Sequence, residues 1–403
     1  MHHKAVLALV VTALSATSTS AALAHGHDCD DSPFGRRFSD TRTLTSLPPA
    51  TFPEGLVVEG HTAYVSGPAT FGTAGQGPSI IRAFDTRNGE EIDSLPIAGE
   101  DLSQEHALSC ITTDGAGRIY ALSTQLGVVR IDPDTGAQEV YATIPHLAQC
   151  NALPPGPCAG TTCTPEPVSC ASGRCLPPGP CRDDGQGHCL PPGPCQPVAI
   201  DRGSLANDLA FDQAGNLYIT DSFQATIFKV PRGGGVAEAY FQSPAFDTST
   251  IPDFAPGLNG IRLSPDRSKV VFTVSIGPNA GVWSIPRKAH PSAASLQLVR
   301  GYDNYEIPDG IAFSATGRLY VALAGHQQIA MLTYWGTELL RFPSAAVNAT
   351  LDVPYDNPAN IAFNGRGSIL VVNHAIFGDP AHAAVLDAMV YDVASPLAKP
   401  MIP

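Results

Sequence analysis

The stretch ANDLAFDQAGNLYITD, residues 206–221, contains two short runs of alternating apolar and polar residues on either side of a polar turn. Alternation with a period of two residues, bounded by Asp, Asn and Gly, is typical of two antiparallel strands joined by a tight turn. The same pattern recurs in PEGLVVEGHTAYVS (53–66), LSCITTDGAGRIYALS (108–123), LNGIRLSPDRSKVVFTV (258–274), PDGIAFSATGRLYVAL (308–323) and PANIAFNGRGSILVVN (358–373). The chain therefore consists largely of repeats.

The spacing of the repeats predicts the fold class. Aligning the turns gives one equivalent position near the start of each first strand, the axial position, occupied by Glu54, Ser109, Asn207, Asn259, Asp309 and Ala359. Successive axial positions are 50 to 55 residues apart once the 46 residues at 150–195 are set aside. Six small antiparallel sheets at this period predict an all-β, six-bladed β-propeller. We expect residues near Thr41–Leu47 to close the ring by pairing with the C-terminal strands in the last blade.

Composition limits the possible partners. The 38 glycines and 37 prolines indicate many turns and few long helices. The net charge of −14 would repel a phosphate backbone, so we expect no nucleic-acid partner. No apolar run is long enough to span a bilayer, so we also expect no membrane span.

The N-terminal residues have the features of an export signal. Lys4 precedes an apolar run, Ala5–Leu14, and Ala22-Leu23-Ala24 fits a cleavage site between small residues. We therefore divide the chain into a signal peptide at 1–24, an N-terminal arm at 25–49 and the propeller at 50–403. The expected location is secreted or periplasmic.

The segment at 150–195 interrupts the repeats between blades two and three. It holds eight of the ten cysteines and three copies of LPPGPC, without an aromatic residue. It contains no CxxC pair, which favours disulfides over a zinc site. We interpret the segment as a Pro/Gly-rich surface insert held by disulfides, and as a candidate surface for a protein partner. The two remaining cysteines, Cys29 and Cys110, suggest a bond between the arm and blade two.

Four of the six axial positions carry oxygen donors, namely Glu54, Asn207, Asn259 and Asp309. Inner strands of a propeller begin near its axis, so these side chains are expected to converge. Two carboxylates and two amides suit a hard divalent cation. The pattern by itself leaves calcium, zinc, magnesium and manganese open. Taken singly, each of these residues could instead be an ordinary turn or cap residue.

Several of these segments resemble one known family. The segments FPEGL (52–56), ANDLAFDQAGNLYITD, GLNGIRLSPD (257–266) and IPDGIAFSATGRLYVA (307–322) are similar to blades of the senescence-marker-protein/gluconolactonase/luciferin-regenerating-enzyme-like family. Paraoxonases and strictosidine-synthase-like proteins are more distant relatives. The resemblance covers roughly residues 50–395 apart from the insert. It implies a six-bladed propeller with a central divalent cation, often calcium, and in many members hydrolysis of lactones.

The resemblance also implies roles for individual residues. Glu54, Asn259 and Asp309 would bind the metal, Asn207 would bind metal or substrate, and Asp309 would be the candidate base. Family members that hydrolyse sugar lactones often carry Arg two residues before the blade-three Asn, where this chain has Leu205. This departure argues for a less polar lactone or ester, or for lost activity.

Two histidines are further candidates. His326 and His374 each follow the second strand of a blade, and we expect them beside the site as substrate-binding residues, or else as ordinary loop histidines.

Two functions remain open at this point. The first is an exported, divalent-cation-dependent hydrolase of a small-molecule lactone or ester. The second is a non-catalytic binding propeller, with a structural calcium ion and a Cys-rich recognition loop. The sequence contains no GxSxG, HExxH or GxxxxGK[ST] motif, so serine α/β-hydrolases, HExxH metalloproteases and P-loop NTPases are unsupported.

Overall fold

The computed structural model describes residues 35–147, 182–183, 189–190, 203–249, 251, 255–397 and 399–403. Residues Phe38–Pro403 form one compact unit, and the preceding unit, Met1–Arg37, lies almost wholly outside the described residues. The predicted signal peptide and the disulfides of the insert lie outside them too, so both remain predictions. No helix in the described part is long and apolar enough to cross a membrane.

The first half of the chain forms two blades. The strands of this half, in chain order, are β1 (Thr41–Ser46), β2 (Leu56–Glu59), β3 (Thr62–Gly67), β4 (Ile80–Asp85), β5 (Glu91–Pro96), β6 (Leu108–Thr113), β7 (Ile119–Ser123), β8 (Gly127–Ile131), β9 (Gln138–Thr143), β10 (Arg182–Asp183) and β11 (Cys189–Leu190). Strands β2 to β5 form blade one, and β6 to β9 form blade two. Strands β10 and β11 pair within the insert.

The second half forms four blades. Its strands are β12 (Ala206–Phe211), β13 (Leu217–Asp221), β14 (Thr226–Val230), β15 (Gly235–Val236), β16 (Glu238–Gln242), β17 (Leu258–Leu263), β18 (Lys269–Val274), β19 (Gly281–Pro286), β20 (Gln297–Gly301), β21 (Pro308–Phe313), β22 (Leu319–Leu323), β23 (Gln328–Leu332), β24 (Glu338–Phe342), β25 (Pro358–Phe363), β26 (Ser368–Asn373) and β27 (Ala384–Met389). The described helical segments are single turns at Pro244–Phe246, Ala293–Ser295, Ala345–Asn348 and Pro380–His382.

Each blade is a four-stranded antiparallel sheet, so the predicted all-β six-bladed propeller is confirmed. Blade three contains β12, β13, β14 and β16, blade four β17 to β20, and blade five β21 to β24. Short β15 adds in parallel to the outer edge of blade two, beside β9.

The last blade combines both ends of the propeller. Its sheet has the order β1-β27-β26-β25. Thr41 lies opposite Ala388 and Ser46 lies opposite Ala384. The expected closure of the ring is confirmed. Residues 41–46 thus belong to a propeller sheet, although the sequence-based division placed them in the arm.

Similar tyrosines on second strands anchor three blade interfaces. Tyr120, Tyr218 and Tyr320 are almost fully buried. Each hydroxyl donates to a buried carboxylate; that of Tyr120, for example, lies 3.1 Å from Asp114 Oδ2. Two of the rings pack edge to face against an aromatic ring of the next blade. The ring centroids of Tyr120 and Phe211 are 4.8 Å apart, and those of Tyr320 and Phe363 are 5.5 Å apart. Buried aromatic rings with a satisfied hydroxyl contribute both packing area and a fixed orientation to these interfaces.

The inner strands of blades two to six carry one extra residue where the axial position lies. In blade three, Ala206 pairs with Asp221 and Leu209 pairs with Ile219, so three steps along β12 match two along β13. One extra residue also occurs in β6, β17, β21 and β25. A bulge turns a side chain out of the regular alternation of a strand. These bulges at one level therefore give Ser109, Asn207, Asn259 and Asp309 a common direction.

The inner strands of blades five and six approach so closely that the residue after Asp309 has to be a glycine, Gly310. A Cβ atom on Gly310 would lie 2.5 Å from the carbonyl oxygen of Ala359 in the next blade. Gly310 therefore allows blades five and six to touch beside Asp309.

Candidate metal centre and its cavity

A cavity of about 220 Å³ lies over the starts of the inner strands. Its walls come from all six blades, and its described lining residues are Glu54, Ala69, Thr70, Phe71, Glu105, His106, Ala107, Ser109, Thr124, Ser204, Leu205, Asn207, Phe223, Pro256, Asn259, Ile307, Asp309, Ala324, Asn357, His374, Ile376 and Phe377.

All four predicted oxygen donors line this cavity. Glu54 precedes β2, and two backbone hydrogen bonds hold it in place. Its N–H donates to the carbonyl oxygen of Ser66, and the N–H of Ser66 donates to the carbonyl oxygen of Gly55. Asn207, Asn259 and Asp309 are the bulged residues of β12, β17 and β21. All four side chains are buried, with exposures of 4 to 8%. The structure thus brings together residues from blades one, three, four and five.

The two amide side chains have oxygens without a partner. Asn207 Oδ1 and Asn259 Oδ1 are both buried and accept no hydrogen bond from the described residues. The other end of the Asn259 amide is fixed, because Nδ2 donates to Ser275 Oγ at 3.0 Å. A buried oxygen without a donor costs free energy. These two atoms therefore lack a positively charged or hydrogen-bonding group in the cavity.

The raised pKa values of the two carboxylates, Glu54 and Asp309, also indicate that the cavity lacks a positive charge. Burial and the nearby charge of Asp208 raise the pKa of Glu54 to about 8, although a hydrogen bond with Asn207 opposes the rise. Burial and the charge of Glu54 raise the pKa of Asp309 well above its ordinary value. Desolvation and like charge both penalise the ionised forms. A cation in the cavity would remove this penalty.

The donor set fits a hard divalent cation. Two carboxylates and two amide oxygens match the chemistry that calcium prefers. Among the described residues, no group of three or more His, Cys, Asp or Glu side chains is placed to hold a metal ion.

Part of the cavity lining is apolar. Leu205, Phe223, Ile307, Ile376 and Phe377 belong to this part, and Phe377 is 65% exposed at the surface. No Lys or Arg occurs among the described lining residues. An anionic group on a substrate would therefore find no ammonium or guanidinium group among these residues.

Ile307 occupies an unusual backbone conformation two residues before Asp309. Its φ of 49° lies in the left-handed region, which β-branched residues rarely adopt. Strain of this kind is concentrated at functional sites. Here it accompanies an apolar side chain that lines the cavity next to the candidate base.

Asp221 fixes part of the apolar wall. Its carboxylate accepts hydrogen bonds from Ser204 Oγ at 2.5 Å and from the backbone N–H of Leu205 at 3.2 Å. It also accepts from the N–H groups of Phe223 and Gln224, at 3.1 and 2.9 Å. One fully buried carboxylate thus positions both Leu205 and Phe223.

The cavity lining also contains a polar pair, Glu105 and His106, that sequence reasoning missed. Glu105 Oε2 accepts from the N–H groups of Gly72 and Thr73, at 2.8 and 3.0 Å. His106 is buried, with Nδ1 3.0 Å from the carbonyl oxygen of Gln104 and Nε2 2.9 Å from that of Gly77. Neither residue lies at a repeated position, so the alignment of repeats gave no signal for them.

The two predicted histidines differ in location. His374 lines the cavity, and its Nε2 donates to the carbonyl oxygen of Ala69 at 2.8 Å. Burial lowers the pKa of His374 to about 4, although the bond to Ala69 opposes the shift, so the ring is neutral at pH 7. His326 is not among the described lining residues. Its side chain is 41% exposed and lies 3.9 Å from Glu306. The structure therefore brings only His374 to the metal-site residues.

Cys110 was expected to pair with Cys29. Its thiol is buried and forms no disulfide with another described residue, and Cys29 lies outside the described residues, so the bond between them stays a prediction. Cys110 follows the axial residue Ser109 on β6, and its sulfur accepts from Asn360 Nδ2 at 3.2 Å. Its position in the bulge directs it into the interior of the ring.

Comparison with known proteins supports the resemblance seen in the sequence. Residues 195–375 match the family model described as the SMP-30/Gluconolactonase/LRE-like region. The resemblance to this family is confirmed. The match includes Asn207, Asn259 and Asp309, whereas Glu54 lies outside the matched residues. No curated protein matches the sequence.

Three solved structures are similar to this chain in fold. Regucalcin from Agrobacterium tumefaciens, described as a calcium-binding protein, is 15% identical with a TM-score of 0.55, over 91% of this chain and 98% of that chain. A gluconolactonase from Xanthomonas campestris is 14% identical with a TM-score of 0.52, over 89% and 92%. A luciferin-regenerating enzyme is 12% identical with a TM-score of 0.53, over 90% and 99%. At these identities the likeness shows the fold alone.

Proposed function

We propose that the protein is an exported, divalent-cation-dependent hydrolase that acts on a neutral lactone or ester. The observation that carries the proposal is the set of two buried carboxylates and two buried, unpartnered amide oxygens in one open cavity. The lactonase and calcium-binding descriptions of the structural relatives support the same class of chemistry. Export rests on the signal-like residues 1–24.

Glu54, Asn207, Asn259 and Asp309 would hold the cation through their oxygen atoms. A bound divalent cation supplies Lewis acidity, which stabilises negative charge on the carbonyl oxygen of the substrate. Calcium fits this set of oxygen donors, and magnesium, manganese or zinc would compete for it.

Asp309 is the candidate base. Its carboxylate would accept a proton from the water that attacks the carbonyl carbon. The new carbon–oxygen bond forms as the bond to the ring or ester oxygen breaks, and the proton passes to the departing oxygen. General bases of this kind contribute about 10²–10⁴-fold to the rate.

The cavity wall limits the substrate. Leu205, Phe223 and Ile307 offer apolar contacts, and no Lys or Arg is among the described lining residues to pair with an acid group. The substrate we expect is therefore uncharged, with an apolar substituent. His374 would contribute a polar contact at the edge of the cavity.

The test is hydrolysis of a panel of lactones and aryl esters, with and without chelator and with calcium restored. We expect turnover that chelation stops and calcium rescues, and a loss of about 10²–10⁴-fold in kcat for Asp309→Asn. Asp212→Asn is the matched control, because Asp212 is an equally buried carboxylate that bonds Asn216 and Arg287 rather than lining the cavity. Bound calcium without turnover would instead favour the non-catalytic binding propeller.

A further inference from the structure

The repeats themselves point to one unusual residue beneath the metal-site residues. Three positions after the axial residue, the six inner strands carry Val57, Thr112, Ala210, Arg262, Ala312 and Ala362. Five of these six side chains carry no charge. Arg262, on β17 of blade four, is the exception.

Arg262 pairs with a fully buried carboxylate. Its Nη1 lies 2.6 Å from Asp208 Oδ2, and the backbone N–H of Ile261 donates to the same oxygen at 2.9 Å. Asp208 directly follows Asn207, and Ile261 lies two residues after Asn259. The pair therefore joins β12 to β17 beside the two unpartnered amide oxygens.

The contacts continue to two more blades. Arg262 Nη2 donates to Asn360 Oδ1 at 3.2 Å, and Asn360 Nδ2 donates to Cys110 Sγ at 3.2 Å. Asn360 and Cys110 each follow an axial residue, Ala359 in blade six and Ser109 in blade two. We call Cys110, Asp208, Arg262 and Asn360 the axial network. It links four inner strands in the layer next to the metal-site residues.

The charges in the two layers can be counted. Glu54 and Asp309 together carry two negative charges when ionised, and Asp208 would add a third. Arg262 cancels that third charge within the axial network. The total then matches a divalent cation.

We propose that Arg262 and Asp208 are positioning residues that set the charge of the metal centre to suit a divalent rather than a trivalent cation. The inference rests on the cation site of the proposed function, but not on its catalysis. By Coulomb's law, one added negative charge strengthens attraction to a trivalent ion more than to a divalent ion. Changing the charge of the network should therefore change the preference between the two kinds of ion.

The experiment measures binding of Ca²⁺ and of Tb³⁺ by titration calorimetry on the full chain. Arg262→Met leaves Asp208 unpaired, and we expect its ratio of terbium to calcium affinity to rise at least tenfold. Asp208→Asn leaves Arg262 unpaired, and we expect the ratio to fall at least tenfold. The double variant restores the original charge, so its ratio should return to within about threefold of the unsubstituted protein.

Arg287→Met is the matched control. Arg287 also pairs with a buried aspartate, Asp212, at 3.3 Å, and its side chain is 32% exposed against 24% for Arg262. Neither Arg287 nor Asp212 lines the cavity. We expect this variant to keep the original ratio.

Unfolding of each variant in chelator shows whether it is folded before titration. If Arg262→Met does not fold, Asp208→Asn and the double variant still test the dependence on charge. Equal ratios in all folded variants would overturn this inference and leave the proposed hydrolase intact. An unsubstituted protein that binds neither ion would overturn both.

Discussion

Asn207 and Asn259 lie on the inner strands of neighbouring blades, and the side-chain oxygen of each is buried without a hydrogen-bond donor among the described residues. Two such atoms at equivalent positions of two repeats indicate a shared ligand rather than two separate defects in packing. The carboxylates of Glu54 and Asp309 in the same cavity support our proposal that this ligand is a cation.

The first prediction concerns stabilisation by calcium. At 100 times its Kd, calcium should raise the free energy of unfolding by about 2.7 kcal/mol, because it binds only the folded protein. Asn207→Ala or Asn259→Ala should remove most of this gain. Thr70→Ala, in the same cavity, should retain it. Chemical denaturation with calcium and with chelator measures all four proteins, and equal gains in every variant would contradict the assigned site.

The second prediction concerns Glu54 in chelator. The folded protein holds a proton on Glu54 up to a pKa of about 8, whereas the unfolded chain releases it near 4.5. The folded state therefore binds more protons between these values, and this contribution to stability is lost as pH rises from 4.5 through 8. Glu54→Gln should abolish that loss and be more stable than the unsubstituted protein at pH 9. Denaturation at pH 5 and pH 9 provides the check; a variant less stable at pH 9 would contradict it.

The third prediction concerns substrate polarity. Each buried methylene is worth about 0.8 kcal/mol, or about fourfold in kcat/KM, so activity should rise along a series of lactones with longer alkyl chains. Leu205→Arg should flatten this rise and improve activity on lactones that carry a carboxylate. Leu339→Arg, on an outer strand where Leu339 is 48% exposed, should leave the series unchanged. A flat series in the unsubstituted protein would show that the apolar wall does not contact substrate.

The fourth prediction concerns His374. Its pKa of about 4 lies below the ordinary value of 6.5, because burial disfavours the charged ring. The unfolded chain takes up the proton first as pH falls, so stability should drop between pH 6.5 and 4, by no more than about 3 kcal/mol. His374→Asn should show a smaller drop, and the exposed His61→Asn should behave as the unsubstituted protein. Denaturation across this range in calcium would detect the difference.

The fifth prediction has the opposite sign and concerns His106. Burial alone lowers the pKa of His106, but hydrogen bonds to the carbonyl oxygens of Gln104 and Gly77 raise it overall above 6.5. The stability that these bonds contribute is present below pH 6.5. It is lost as pH rises through the pKa of His106 in the folded protein, which is higher than 6.5. Hydrogen exchange of residues 71–77 should therefore speed up in that range beyond its normal increase with pH. His106→Asn should remove this extra acceleration; an identical profile in the variant would exclude the role of His106.

The sequence predicted those features that repeat. Apolar alternation and a common turn located the inner strands, and their alignment located Glu54, Asn207, Asn259 and Asp309. The fourth strand of each blade gave little signal, because an outer strand such as β5, Glu91–Pro96, is almost entirely exposed. The parallel addition of β15 to blade two could not be predicted either, since a two-residue strand has no period.

The features that do not repeat were missed. Glu105 and His106 lie in a connection, and their role depends on carbonyl oxygens from residues far away in the sequence. Arg262 was visible as an exception among equivalent positions, but its partner Asp208 comes from another blade. His326 and His374 looked alike in sequence, and only the packing of their loops separates them.

The split sixth blade makes the order of synthesis important. Strand β1 emerges from the ribosome early, yet its partner β27 ends at Met389. Until then the face of blade one that carries Leu56 and Val65 lacks the side chains of blade six that later cover it. The ring therefore closes only near the end of translation, and loop closure over so many residues is slow. A circular permutant that begins between two other blades would make this sheet from consecutive strands and move the late step elsewhere in the ring.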